Sequence, residues 1–150
     1  MALFARKPVA KPLRLTAEEA SDVQTIAALL QDAALRTGDM AYDRSGKHFT
    51  ARMNRFCHEG GAGVPLRAPS VLRLSCVTRV QMRGLDLAKS TQALALLDIE
   101  VEALEAPAHA LTLRFAGPQH PDVRIEAECI DVLLMDLAAP RRARVAPNHD

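Results

Sequence analysis

Apolar and polar residues follow two different rhythms along the chain, and the change occurs near residue 33. Before it, the apolar residues recur at the spacing of one helix face. They are Val23, Ile26, Ala27 and Leu30. Thr16 and Glu19 precede them at the spacing of a capping box, in which each side chain bonds the other residue's backbone N–H. The pattern predicts a helix over residues 17–31.

After residue 33 the apolar residues recur at every second position, as in strands with one buried and one solvated face. Leu13-Arg14-Leu15 alternates in the same way and predicts a short extended segment before the helix. Asp43 and Gly46 have the placement of a tight turn between two strands. Six main strands are predicted over residues 34–42, 49–54, 72–83, 97–102, 111–115 and 123–129.

The alternation slips just after Cys129, and two interpretations explain the slip. A β-bulge at Ile130 would let the strand continue through Val132 and Leu134. A terminal helix that uses Ile130, Leu134 and Leu137 is the competing interpretation. With such a helix, the architecture would move toward a pleckstrin-homology-like shape.

The elements together predict an α+β domain, in which one N-terminal helix packs on a curled antiparallel meander sheet of about six strands. Prolines and positive charges mark both ends of the chain. We therefore expect a flexible basic arm over residues 1–12, a single domain over residues 13–137 and a flexible basic tail over residues 138–150.

Composition agrees with one globular domain. The chain has 150 residues, of which 49% are hydrophobic and 25% charged, as in ordinary water-soluble domains. Its apolar runs are far shorter than the roughly 20 residues of a membrane span. The cysteines are three, an odd number, without a C-x-x-C pair or a secretory segment. These features predict a cytoplasmic protein with reduced thiols and no membrane association.

Charge is balanced overall and argues against nucleic acid as a partner. The net charge is +1, and residues 13–137 carry 13 basic against 17 acidic side chains. A nucleic-acid surface needs a concentrated basic face, and it often uses aromatic side chains for stacking. This chain has one Tyr and no Trp.

One short cluster combines a thiol, an imidazole and a carboxylate, in Cys57-His58-Glu59. Neighbours on a strand point to opposite faces, so Cys57 and His58 are poorly placed to act as nucleophile and base. The common nucleotide-binding, hydrolase and zinc motifs do not occur in the sequence. We expect no catalytic residue, no metal and no cofactor, and an enzyme site near Cys57 and His58 is the least favoured hypothesis.

Four arginines are the candidate binding residues. Arg73, Arg79 and Arg83 share the solvated phase of the predicted strand 72–83, and Arg52 extends their surface if the two strands pair. Such a surface could bind an acidic partner or a small anion. The competing interpretation is cross-strand neutralisation by carboxylates on the solvated phases of other strands. Those carboxylates are Asp98, Glu100, Glu102, Glu126 and Glu128.

An ordered set of short motifs resembles a bacterial family called domain of unknown function 2948. The motifs are Leu13-Arg14-Leu15, Leu30-Gln31-Asp32-Ala33, Gly38-Asp39-Met40, Asn54-Arg55-Phe56, Arg83-Gly84-Leu85-Asp86, Glu128-Cys129-Ile130-Asp131 and the closing Pro147-Asn148-His149-Asp150. The resemblance covers residues 13–150. It implies a free-standing cytoplasmic bacterial protein, and it transfers no activity, cofactor or catalytic residue to this chain.

The sequence therefore favours a non-enzymatic module that binds a protein partner through the solvated face of its sheet or through an open edge such as residues 34–42. The alternative is a small anionic-ligand-binding domain that uses Arg52, Arg73 and Arg79.

Overall fold

The computed structural model describes residues 11–57 and 65–142. Within them the chain forms one α-helix and eleven strands, and every strand pair is antiparallel. The elements in chain order are β1 (Arg14–Ala17), α1 (Ala20–Leu30), β2 (Ala34–Arg36), β3 (Met40–Asp43), β4 (His48–Phe56), β5 (Leu66–Leu74), β6 (Val77–Arg83), β7 (Ala93–Ala103), β8 (His109–Phe115), β9 (Asp122–Ala127), β10 (Val132–Asp136) and β11 (Arg141–Arg142).

The strands do not follow one another in space as a simple meander. Their order is β1-β10-β5-β4-β2-β7-β8-β9-β6, with β3 beside β4 and β11 beside β5. The antiparallel sheet with one helix is confirmed, but the expected six strands are eleven within the described residues, and a strand precedes the helix. The sequence missed the order because β1 with β10 and β2 with β7 pair across long stretches of chain.

The sheet curls around one hydrophobic core. Inward side chains from both ends of the strand order join a single buried cluster. The end strand β6 returns to the turn between β3 and β4, where the Val77 N–H donates to the Lys47 carbonyl at 3.0 Å. Burial of apolar side chains from both halves on one interior is the main force that holds this curl.

A corner divides the long strand that the alternation predicted over residues 72–83. β5 ends at Leu74 and β6 begins at Val77, with Cys76 between them at a φ of 60°. The link between β9 and β10 bends beside it, because Glu128 N–H donates to Cys76 O and Ser75 N–H donates to Asp131 O, each at 2.9 Å. The slip after Cys129 is therefore this second corner, and a strand follows it, not a terminal helix.

The helix buries the face that its spacing predicted, comprising Val23, Ile26, Ala27 and Leu30. Its start differs from the prediction, since Thr16 belongs to β1 and the N-cap is Glu19, without a side-chain cap. The backbone carbonyl of Glu19 instead accepts from the N–H groups of Asp22 and Val23. α1 packs against β7, β1 and β4.

Two further segments have a different secondary structure or strand pairing from the one predicted. Residues 34–42 are not one open-edge strand, because β2 lies between β4 and β7, and a 3₁₀ turn at Thr37–Asp39 separates it from β3. Arg141 and Arg142, expected in the flexible tail, pair with β5 as β11.

A buried ion pair ties four strands of the first half of the sheet together. The Arg55 guanidinium on β4 donates to both carboxylate oxygens of Asp136 on β10, at 3.1 and 2.8 Å, and both side chains are 0% exposed. Ser70 Oγ on β5 donates to the same carboxylate at 2.7 Å. The Leu13 N–H, just before β1, donates to it at 2.8 Å. Four hydrogen bonds thus offset the desolvation of Asp136.

These contacts also change the proton affinity of Asp136. Burial alone would raise the pKa of this carboxyl, but hydrogen bonds from Arg55, Leu13 and Ser70 outweigh burial and hold the pKa below its ordinary value. The ionised carboxylate is therefore the form that the fold stabilises.

We expect Asp136→Ala to lower the free energy of unfolding by about 3–5 kcal/mol, because the buried guanidinium loses this carboxylate. Asp131→Ala is the matched control, since Asp131 is an exposed aspartate at the start of the same segment, and its cost should stay below about 0.5 kcal/mol. Urea unfolding at neutral pH measures both. A variant that fails to fold agrees with the prediction, whereas a loss below about 1 kcal/mol would contradict it.

The contribution of Asp136 should also depend on pH. The pKa of Asp136 is lower in the folded than in the unfolded chain. The unfolded chain therefore binds more protons in the acidic range, and the free energy of unfolding decreases as the pH falls. The contribution is complete above about pH 5 and declines as the pH falls through the ordinary aspartate pKa of about 3.9 toward the lowered one. Urea unfolding of the wild type and of Asp136→Asn at several pH values should show their stability difference shrinking in that window. A constant difference would contradict the assignment.

Candidate functional site

The four predicted arginines lie on two different surfaces. Arg52 on β4 and Arg73 on β5 point outward from neighbouring strands in the first half of the sheet. Arg79 and Arg83 lie on β6, beyond the corner at Cys76, at the other end of the strand order. The corner explains the difference, because the sequence pattern treated β5 and β6 as one strand.

The outer surface of β6 to β9 neutralises its arginines by ion pairs, as the cross-strand interpretation expected. Arg83 pairs with Asp122, and Arg79 Nε lies 3.8 Å from Glu126. Arg114 pairs with Glu100 at 2.8 Å. Arg124 pairs with both Glu102 and Glu126, at 3.2 and 3.1 Å. Hydrogen bonding to the carboxylates raises the pKa of Arg83 and of Arg124.

The outer surface of β1, β10, β5 and β4 has a different composition. Strand register places Arg14, Met135, Val71 and Arg52 in one row across these four strands. The adjacent row holds Thr16, Leu133, Arg73 and Thr50. We call this surface the basic face, and its defining residues are Arg14, Arg52, Arg73, Val71, Leu133 and Met135.

The three arginines of the basic face have no carboxylate partner among residues 11–57 and 65–142. Arg73 bonds His48 Nε2 at 2.8 Å, and Arg14 bonds the Met135 sulfur at 3.4 Å. A guanidinium can only donate, so His48 Nε2 is the acceptor in this hydrogen bond. These contacts orient the side chains without cancelling their charge.

Positive charge continues along β5 and β4 beyond the basic face. Arg67 donates to the Asn54 carbonyl at 2.8 Å and lies 5.7 Å from the centre of the Phe56 ring. Arg141 on β11 pairs in register with Arg67 and is exposed. The basic face therefore has a basic extension at one end, whereas its other end borders Asp43 and Asp131.

The sequence missed Arg14 as a site residue, although the signal was present. In Leu13-Arg14-Leu15-Thr16 the arginine and the threonine share the solvated phase of a short strand. What the pattern did not show is that β1 pairs with β10, which places Arg14 on the same surface as Arg52.

The structure describes the Cys57 cluster only in part. Cys57 is buried at the end of β4, with its sulfur 4.0 Å from the Arg55 carbonyl. His58 and Glu59 lie outside the described residues. At the corner, burial and then a hydrogen bond with Cys76 raise the pKa of the Cys129 thiol, which disfavours a nucleophilic thiolate.

Neither a metal cluster nor a membrane-spanning helix occurs in the described ranges. No three His, Cys, Asp or Glu side chains there are close enough together to hold a metal ion. The helix within these ranges is too short and too polar to cross a bilayer. A groove of about 740 Å³ lies over β8 and the turn after it, but its arginines and carboxylates are paired with one another.

The comparisons with known proteins establish the family. A family model described as Protein of unknown function (DUF2948) matches residues 13–149. No curated protein and no solved structure matches the chain. The match spans nearly the whole chain and confirms the resemblance that the ordered motifs indicated. The chain belongs to the family of proteins of unknown function DUF2948.

Proposed function

We propose that this protein is a non-enzymatic binding module that docks an acidic protein partner on its basic face. The observation that carries the proposal is the contrast between the two outer surfaces of one sheet. All four arginines of β6, β8 and β9 lie within ion-pair distance of carboxylates. The arginines of the basic face have no such partner among the described residues. A partner's carboxylates would supply the missing charge.

The spacing of the arginines favours an extended partner over a small anion. Arg14 and Arg52 lie in one row, separated by β10 and β5, so their backbones are about 14 Å apart at the usual distance between strands. A single phosphate or carboxylate could contact Arg52 and Arg73 together but could not also contact Arg14. The small anionic-ligand alternative would therefore use only part of the surface.

Apolar side chains between the arginines favour protein over nucleic acid. Val71, Leu133 and Met135 are partly exposed at the centre of the basic face. Protein interfaces combine apolar contacts with arginine forks that bind carboxylates in a bidentate manner. Surfaces that bind single-stranded nucleic acid often use stacking aromatics, and the single tyrosine, Tyr42, packs against the core.

The compartment forms part of the proposal. An odd number of cysteines without a C-x-x-C pair suits a reducing environment. We therefore place the protein and its acidic partner in the cytoplasm.

The test compares three forms of the full chain in affinity capture from a lysate of the source cells. The first is the wild type, and the second carries Arg52→Gln and Arg73→Gln. The third carries Lys89→Gln and Arg114→Gln, which change the net charge equally but lie away from the basic face. We expect the wild type and the control to retain the same acidic proteins and the face variant to lose them by about tenfold or more. Quantitative mass spectrometry measures retention.

Equal retention by all three forms would contradict the proposal. Loss of retention after nuclease treatment of the lysate would assign the surface to nucleic acid and would also overturn it. All substituted residues are exposed, so unfolding free energies should change by less than about 0.5 kcal/mol, which separates lost binding from misfolding.

A further inference from the structure

The last strand in the spatial order, β6, has an open edge within the described residues. It pairs with β9 on one side. On its other side the β3–β4 hairpin approaches at Val77, whose N–H donates to Lys47 O at 3.0 Å and whose carbonyl accepts from the Tyr42 hydroxyl at 3.4 Å. Alternate backbone N–H and C=O groups beyond Val77 therefore face a gap between the strand and the hairpin.

The gap is a groove of about 560 Å³. Its walls are the edge of β6 and the hairpin, and its lining residues are Tyr42, Arg44, Lys47, Val77, Thr78, Arg79, Val80 and Gln81. We call this the edge groove. Three of its side chains are cationic and none is a carboxylate.

Beyond the register shift at Thr78, the side chains of β6 alternate between polar and apolar. Val80 and Met82 are partly buried and pack against the core, as does Tyr42 across the groove. Arg79 and Arg83 are exposed on the opposite phase. A strand laid beside β6 would place one set of its side chains next to Val80 and Met82 and the other set next to the arginines.

We propose that the edge groove binds an extended peptide segment with alternating apolar and acidic side chains, which adds to the sheet as a strand beside β6. Main-chain hydrogen bonds to the open edge would supply affinity, and the two sets of side chains would supply selectivity. This site shares none of its lining residues with the residues that define the basic face, although the hairpin that forms one of its walls includes the start of β4.

Charges around the groove select this occupant over a second copy of the chain. Strand β6 carries no carboxylate, so pairing it with β6 of another molecule would bring no acidic side chain to Arg44. An acidic segment would supply one. Lys47 already contacts Glu128 at 2.8 Å, Arg79 contacts Glu126 at 3.8 Å and Arg83 contacts Asp122. Arg44 has no ion pair among the described residues, so it is the cation most available to the peptide.

The test uses a dye-labelled probe of sequence Glu-Val-Glu-Val-Glu-Val-Glu with blocked ends, titrated with the full chain and followed by fluorescence anisotropy. Two modified probes carry N-methyl groups on either the valines or the glutamates. An added strand bonds β6 through every second residue. One methylated probe should therefore bind about tenfold or more weakly, since several hydrogen bonds are lost, and the other should bind like the parent.

Protein variants locate the site. Arg44→Gln should weaken the binding of the parent probe by about threefold, as expected for the loss of one exposed charge pair. Arg52→Gln is the matched control on the basic face and should leave probe affinity unchanged. Amide chemical shifts should change along β6 and at Tyr42 when the parent probe is added.

Three outcomes would overturn the inference. They are equal affinity of both methylated probes, shift changes confined to the basic face, and no detectable binding of the parent probe. The first would indicate charge attraction without strand addition. Because the basic face is tested by Arg52 and Arg73 variants in a separate capture experiment, either proposal can fail while the other survives.

Discussion

The buried contact between Arg55 and Asp136 is the constraint on which the first half of the sheet depends. It joins β4 to β10, and through Ser70 and Leu13 it also holds β5 and the start of β1. A carboxylate out of water is unfavourable unless it is paired and hydrogen-bonded, and here four donors surround it. These strands are the four that carry the basic face. The ion pair therefore organises, from inside, the surface that we propose for binding.

Two halves of one curled sheet use arginine in different ways. On β6 to β9, cross-strand carboxylates face the arginines, and exposed pairs of this kind add little stability. Their main effect is to leave that surface nearly neutral. On the basic face, His48 and Met135 contact the arginines, neither side chain is a carboxylate, and the positive charge persists. The chemical contrast, and not the number of arginines, distinguishes a candidate binding surface from an ordinary solvated one.

Our proposals place recognition of a partner, and not a reaction, at the described surfaces. Cys57 is buried, the pKa of the Cys129 thiol is raised, the groove over β8 is lined by paired charges, and the edge groove is lined by an open strand edge. The edge groove and the basic face present different chemistry to a partner, since the groove offers an open strand edge beside its cations and the basic face offers arginines beside apolar side chains. Family membership places the chain among related sequences but does not choose between these surfaces.

Periodicity by itself determined which residues are buried and which are solvated in most elements, because helix and strand geometry repeat every 3.6 and every two residues. The buried face of α1 and the outward positions of Arg52 and Arg73 follow from it. Only the tertiary structure decided which strands meet. The corner at Cys76 uses a positive φ at a residue other than glycine, which no local pattern signals.

The same limit applies to charge. Arg55 stands at a buried position of β4, and its partner Asp136 is 81 residues away in sequence. Arg14 lies on the basic face because β1 pairs with β10, and Arg79 lies outside it because the chain turns at Cys76. A sequence records the sign and phase of each charge, whereas pairing depends on distances of a few ångströms that long-range strand contacts set.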